Sequence, residues 1–367
     1  MHAMLLDGWP WKPQPDYERL LRVLRRQGDP AYVPPLEFLA DPEIIAAVLG
    51  EGPIAKETTL ADPRAMTASL DQAIRFWHAL GYDAFRAKAV LDLPLNPRAG
   101  EDTALLPRPT RSWMDEKKGL VTCWEDFERY PWPRADEADY RPLEYVNQHL
   151  PEGMAVFAKS YGIFEQAMFL MGFETLAYSL YDQPDLVEAI FAKIEEIYMP
   201  FNHALAEMDG VIGLWMGDDM GFRSGTMIHP DHLRQYVLPR QERVAALCHE
   251  HGILFLLHSC GNLDRVYEDL IDNVRIDAKH SFEDAILPVE KFSESFSHRV
   301  AVIGGVDVDL LARGNEPQVR ARTRQILEAC APSGAFALGS GNSITNYVPV
   351  ANFLAMLDEC HRFNAGS

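Results

Sequence analysis

His258 and Cys260, two positions apart in the segment FLLHSCGN, carry the sharpest chemical signal in this 367-residue chain. An apolar run leads into them as a barrel or sheet strand would. Residues i and i+2 of a strand point the same way, so imidazole and thiol can converge on one ion. A neutral imidazole nitrogen and a thiolate suit Zn²⁺, which lowers the pKa of the thiol it binds. Two ligands do not complete a zinc site, and a bare His-x-Cys is more often a buried thiol beside a hydrogen-bonded imidazole.

The missing ligands have several sources. The next apolar strand ends in AKHSFED, where His280 or Glu283 offers N or O from a neighbouring position. The competing account makes HSFED a helix start, with Ser281 as cap and the acids on the helix dipole. The preceding strand ends in WMGDDMGFRSG, where Asp218 and Asp219 near Arg223 could orient substrate, act as base or complete a metal shell. A charged turn before the helix at Pro230 is the plainer account of the same residues. Asp307 follows a Gly pair in GGVDVD, and Ser340 and Asn342 lie in the turn GSGNS. Asp218, Asp219 and Asp307 are the expected catalytic acids. Glu37, Arg223, Asn262, Ser340 and Asn342 are the expected substrate contacts.

These residues need a scaffold that brings strand ends together. The pattern is a short apolar strand, a polar or Gly-rich turn and an amphipathic helix, repeated along the chain. Strands are expected at Tyr32–Phe38, Ala84–Val90, Ala155–Lys159, Gly210–Met216, Ile253–His258, Val274–Lys279, Arg299–Gly304 and Gly334–Gly339. Convincing helices run over Pro184–Met208, Pro230–His251 and Pro317–Cys330, each opening on Pro, which suits a first helical turn. A helix over residues 16–27 precedes them. Strands apolar on both faces, alternating with helices, predict a closed (β/α)₈ TIM barrel, with the site at the C-terminal strand ends. An open doubly wound sheet is the alternative, without the Gly-rich fingerprint of a dinucleotide fold. Residues 92–152, rich in Pro, charge and aromatics, read as an insertion after the second strand. It either covers one side of the barrel mouth or is a plain surface excursion. The rest reads as a single barrel domain over 1–367.

The formal charge of -20, spread along the chain, would repel phosphate backbones and anionic headgroups. Nucleic-acid and membrane roles are therefore not expected. Five widely spaced cysteines without CxxC do not make a secreted disulfide framework, and the N-terminus lacks a signal-peptide pattern. A cytoplasmic protein acting on a small molecule is expected, and a homodimer is admissible.

HSCGN, IDAKHSFED, GGVD and GSGNS together resemble the uroporphyrinogen decarboxylase superfamily, over roughly residues 150–363, with an echo in VPPLEF. The resemblance implies its barrel fold and one of two chemistries. These are cofactor-free decarboxylation of tetrapyrrole acetate side chains, and zinc-dependent methyl transfer involving a corrinoid protein and a thiol. The decarboxylase branch carries an N-terminal Arg-Gln-Ala-Gly-Arg-Tyr segment for substrate carboxylates. This chain has Arg25-Arg26-Gln27-Gly28-Asp29 and lacks the following Arg and Tyr. The methyltransferase branch carries His-x-Cys, matched by His258 and Cys260, and a further Cys where this chain has Ser340, a poor zinc ligand.

The expectation is therefore a zinc methyltransferase of the methyltransferase branch. It would move a methyl group between a corrinoid protein, or a small methylated compound, and a thiol acceptor. Glu283, His280 or Asp219 would complete the shell of His258 and Cys260. Any corrinoid would arrive on a separate protein. The alternatives are a metal-free decarboxylase or lyase acting on a carboxylate, and a non-catalytic barrel that binds a corrinoid or tetrapyrrole.

Overall fold

The computed structural model describes residues 8–54, 62–106, 111–115 and 119–366. Strands Ala84–Ala87, Ala155–Tyr161, Val211–Gly217, Leu254–His258, Ala278–His280, Ala301–Ile303 and Phe336–Ala337 form one sheet in chain order. Every pairing in it is parallel. A doubly wound sheet would reverse strand order at a switch point, and this one does not. The sheet curls into the expected barrel, with its crossover helices outside.

The first barrel position departs from the expected strand at Tyr32–Phe38. It makes one parallel bridge, Pro35 to Leu338. Leu36 N–H donates to the Leu338 carbonyl at 2.8 Å, and Leu338 N–H to the Pro34 carbonyl at 3.0 Å. Pro34 and Pro35 lack the N–H a longer ladder needs, which keeps this stave irregular. The sixth strand also starts later than its apolar pattern suggests. Asp269–Val274 winds as a π-helical turn, and Arg275 reverses the chain at φ 64° before the strand opens at Ala278.

Strand parity divides the core. Ala84, Ala155, Phe157, Trp215, Leu254, Leu256, Ala278 and Ile303 fill the barrel interior, where the N-terminal helix Tyr17–Leu24 adds Leu20 and Leu24. The alternate residues, such as Val156, Leu214 and Leu257, pack outward with the helices. Asp16 caps that N-terminal helix by accepting from Arg19 N–H at 2.9 Å. Register places Tyr161, Gly217, His258, His280, Ile303 and Ala337 on one level at the mouth.

After the second strand the chain forms an antiparallel hairpin, Pro97–Gly100 with Arg111–Met114, and a short helix, Trp124–Arg129. Residues 107–110 and 116–118 of this stretch lie outside the described residues. The following helix Arg141–His149 packs on Pro63–Ala79 and on the second and third strands, in the manner of a barrel helix. Leu93, Leu95, Pro97 and Met114 reach a cavity at the mouth. Among the described residues no helix is long and apolar enough to cross a membrane.

Candidate active site

The fifth strand delivers His258 and Cys260 to the mouth, and the fourth delivers Asp219. One ligand atom from each lies within 4.8 Å of the others. His258 Nε2 is 3.4 Å from Cys260 Sγ and 3.5 Å from Asp219 Oδ1. Tetrahedral zinc with bonds of about 2.0–2.3 Å has ligand-to-ligand edges of roughly 3.3–3.7 Å, and both edges from His258 Nε2 lie in that range. Asp219 Oδ1 also accepts the Cys260 N–H at 2.7 Å, which ties the two loops together.

A relay of buried partners sets the His258 tautomer. His280 Nε2 lies 3.3 Å from the Ser340 carbonyl, which can only accept, so this nitrogen carries the hydrogen. Burial, with Lys279 nearby, pushes the His280 pKa down to about 3, so its Nδ1 is a bare acceptor. His258 Nδ1 is 2.7 Å from that atom and must donate. Burial and the neighbouring His280 also hold His258 well below the usual range, hence neutral. Its lone pair then sits on Nε2, facing Cys260 and Asp219. Gly304 makes room for the relay: at φ +95° a Cβ would lie 2.4 Å from the Ser340 carbonyl and 2.9 Å from the His280 ring.

Cys260 Sγ accepts from Asn342 Nδ2 at 3.2 Å and Ser281 Oγ at 3.3 Å. Burial, and then the Asp219 carboxylate, push its thiol up. A cation held between the three ligands would reverse that shift. Ser281 reaches the sulfur from a non-glycine φ of 86°, a strained conformation of the kind functional sites retain. Lys279 Nζ bonds the carbonyls of Ser259 and Ser281, on either side of the sulfur's immediate neighbours. Its burial lowers its pKa to about 8.

Other residues singled out by sequence occupy different places. Asp218 is fully buried and accepts from Ile163, Phe164 and Glu165 N–H at 3.0, 3.2 and 2.9 Å, and from Gln241 Nε2 at 2.7 Å. It anchors the first turn of the helix Ile163–Met171, and its lone pairs are committed there. Glu37 takes Ser340 N–H and Oγ at 2.9 and 2.5 Å, which leaves both away from the ligand corner. His280 stands behind His258 with both nitrogens engaged. Asp307 caps the helix Val308–Arg313 and accepts Asp284 N–H at 2.8 Å. Glu283, Asp307 and Asn342 line a second cavity of about 460 Å³. Asn262 makes a local turn to Asp264 N–H at 3.0 Å, and Arg223 is exposed beside the short hairpin Gly221–Phe222/Gly225–Thr226.

The larger cavity at the mouth, about 520 Å³, brings in residues that sequence reasoning missed: Arg86, Lys159 and Glu165, with His258 and Asp219. Burial holds Arg86 down at about 9 and, with Arg86 beside it, Lys159 at about 8. Burial, followed by Asp219 and Asp218, raises Glu165 well above the carboxylate range. The missed signal was parity: Arg86 and Lys159 share the inward face of Ala84 and Phe157, where a core strand places a cation only for cause.

Comparison with known proteins gives this geometry a lineage. The family model for uroporphyrinogen decarboxylase (URO-D) matches residues 120–363, more than half of the chain. A curated uroporphyrinogen decarboxylase from Anaeromyxobacter dehalogenans (strain 2CP-C) is 25% identical over 199 residues, 52% of this chain and 52% of that protein. The chain thus spans about half the length of the curated relative it matches. A solved methyltransferase from Methanosarcina mazei shares the fold, with TM-score 0.68 and 17% identity over 94% of this chain and 98% of that one. With two thirds of its length under one family model and its barrel shared from end to end, the chain belongs to the uroporphyrinogen decarboxylase family.

Proposed function

We propose that this protein is a zinc-dependent methyltransferase, moving a methyl group from a corrinoid protein or a small methylated compound to a thiol acceptor. The observation that carries the reading is the corner of Asp219, His258 and Cys260, with the His258 lone pair turned toward the other two. Asp219 takes the part that the resemblance assigns to a second Cys, and Ser340 instead supplies the carbonyl that orients His280. Zinc held by these three residues would keep an acceptor thiol as its nucleophilic thiolate near neutral pH.

The chain's own residues prepare that chemistry. Asn342 and Ser281 donate to the Cys260 sulfur and favour its thiolate form. Phe38 stacks on the His258 ring at 4.0 Å and 9°, shielding it from water. Burial and the neighbouring Asp219 raise the Glu165 pKa in the same cavity, which suits this side chain to give a proton to the leaving group of a methylated substrate.

Elemental analysis of the purified protein tests the proposal. Near-stoichiometric zinc in the wild type, absent from His258→Ala, is expected. Wild-type protein without zinc, and with activity that survives chelators, would point to the metal-free carboxy-lyase chemistry of the same family.

A further inference from the structure

Arg86 and Lys159 stand half-buried on the cavity wall beside the ligand corner, and neither pairs with a carboxylate. Arg86 donates from Nε to the Trp215 carbonyl at 3.2 Å, and its guanidinium lies 4.1 Å from the Phe38 ring centroid. Lys159 Nζ sits 4.0 Å over the Tyr161 ring. Among the described residues neither forms an ion pair. The acids nearby do not close the gap. Glu165 and Asp92 line the same cavity without coming within ion-pair distance of either cation, and Asp92 is exposed and accepts the Tyr161 hydroxyl at 2.8 Å. Two adjacent half-buried like charges outside ion-pair distance of any acid repel one another, and an anionic ligand would relieve that repulsion.

The placement of these cations is informative. Phe38 cannot hold the Arg86 guanidinium and the His258 imidazole on one face, since each lies near the ring axis at about stacking distance. Arg86 therefore stands on the far side of the ring from His258, two stacking spacings away. Arg86, Lys159 and Phe38 also line an adjoining cavity of about 360 Å³, walled by Ile45, Leu70, Trp77 and other apolar side chains. The cations thus sit where the mouth, with His258, Asp219 and Glu165, meets an apolar recess.

We propose that Arg86 and Lys159 form an anion subsite, and that the small molecule handled here is an organic anion with an apolar body. Its carboxylate or sulfonate lies on the two cations while its reacting end reaches the Cys260 corner. Only the assignment of a reacting end rests on the methyltransferase reading; the subsite itself does not. Carboxylate and sulfonate share the anionic oxygens that a guanidinium and an ammonium recognise. A cavity of this volume suits a single small ligand.

Thermal unfolding and calorimetric titration with benzoate, benzenesulfonate and neutral benzamide test the subsite. Both are run in EDTA at constant ionic strength, on the full chain. The probes carry neither thiol nor methyl group, and the chelator removes direct binding to metal. The outcome is therefore independent of whether zinc is found by elemental analysis. One or both anions should raise Tm and bind at least about tenfold more tightly than benzamide. The preferred anion distinguishes a carboxylate substrate from a sulfonate. Arg86→Met and Lys159→Met should each weaken that anion at least about tenfold, a loss of 1.4 kcal/mol or more. Without ligand both variants should unfold at a higher temperature than wild type, because each removes one of two adjacent half-buried like charges. A purely structural role for the cations predicts a lower Tm instead. Anions no better than benzamide, or variants that keep the wild-type response, would overturn the proposal.

Discussion

The two sides of the barrel mouth are built on opposite principles. On the side of the fifth, sixth and eighth strands, His258, His280, Ser340, Glu37, Cys260 and Asn342 bond one another in an unbroken sequence. On the side of the second and third strands, Arg86 and Lys159 share a cavity wall and form no ion pair among the described residues. A closed network fixes tautomers and directions before anything binds, which is what a metal shell needs. An unsatisfied pair keeps its binding energy for a ligand that comes and goes. On the proposed reading the difference separates a permanent centre from an exchangeable one, and each side should be open to disturbance without the other.

The hardest blow to the closed side is to remove a ligand. His258→Ala and Cys260→Ala should each lose zinc and slow methyl transfer by about 10³-fold or more, since activation of the acceptor by the metal is worth several kcal/mol. Benzoate binding in EDTA should be unaffected. If it is lost as well, the two sides are one site and the comparison fails.

Next in size is the split between adjacent acids. Asp218→Ala strips the first turn of the helix Ile163–Met171 of its acceptor and leaves Gln241 Nε2 only the weak Met220 sulfur acceptor at 3.7 Å. It should cost about 3 kcal/mol in denaturant unfolding, the range for breaking a buried charged network, while zinc content stays at wild-type level. Asp219→Asn should do the reverse, releasing zinc at lower chelator concentration with little change in stability. A shared phenotype would show that the two carboxylates are not separated as their contacts indicate.

A subtler change reaches the metal through His258 alone. His280→Phe removes the acceptor for His258 Nδ1–H and frees the imidazole to adopt the other tautomer. Zinc affinity should fall about 10–100-fold, as for other lost partners of metal-bound imidazoles. His280→Gln, which offers an amide oxygen, should recover part of the loss. Competition with a fluorescent chelator measures both.

Much of this was legible in the sequence, and what was missed has a physical pattern. Strand order, the closing N-terminal helix and the placing of HSCGN at a strand end follow from apolar periodicity and turn residues. The irregular first stave is written in Pro34-Pro35, though the apolar residues around them read as a strand. Asp218 and Asp219 look equivalent in WMGDDMG, and only their orientation after Gly217 sends one to a helix N-terminus and the other to the mouth. Arg86 lies inside its strand, and Lys159, the last residue of the expected strand Ala155–Lys159, lies inside the longer observed one, Ala155–Tyr161. A search confined to His, Cys and carboxylates at strand ends passes over both, although their inward parity is readable once the barrel face is assigned. The role of His280 depends on a register pairing with His258 that no local pattern contains.

The smallest effect is also the most specific to the open side. Lys159 has its pKa pulled down to about 8 by burial and by Arg86, with Lys88 adding to the depression and Asp92 and Glu165 opposing it; Tyr161 packs against the ammonium. Below that pH the ammonium is charged and can hold an anion; above it the amine is neutral and Arg86 acts alone. Benzoate affinity should therefore drop several-fold as pH rises through about 8 and then level off. In Lys159→Met the curve should be flat over the same interval. Stability carries the matching sign. A lysine whose folded pKa is depressed contributes fully above its unfolded value near 10.4, and the contribution is lost as pH falls through the folded value. Lys159→Met should therefore gain most over wild type at neutral pH and converge with it in alkali. Convergence without the change in benzoate affinity would make Lys159 a buried charge with no part in binding, and leave the open side to Arg86.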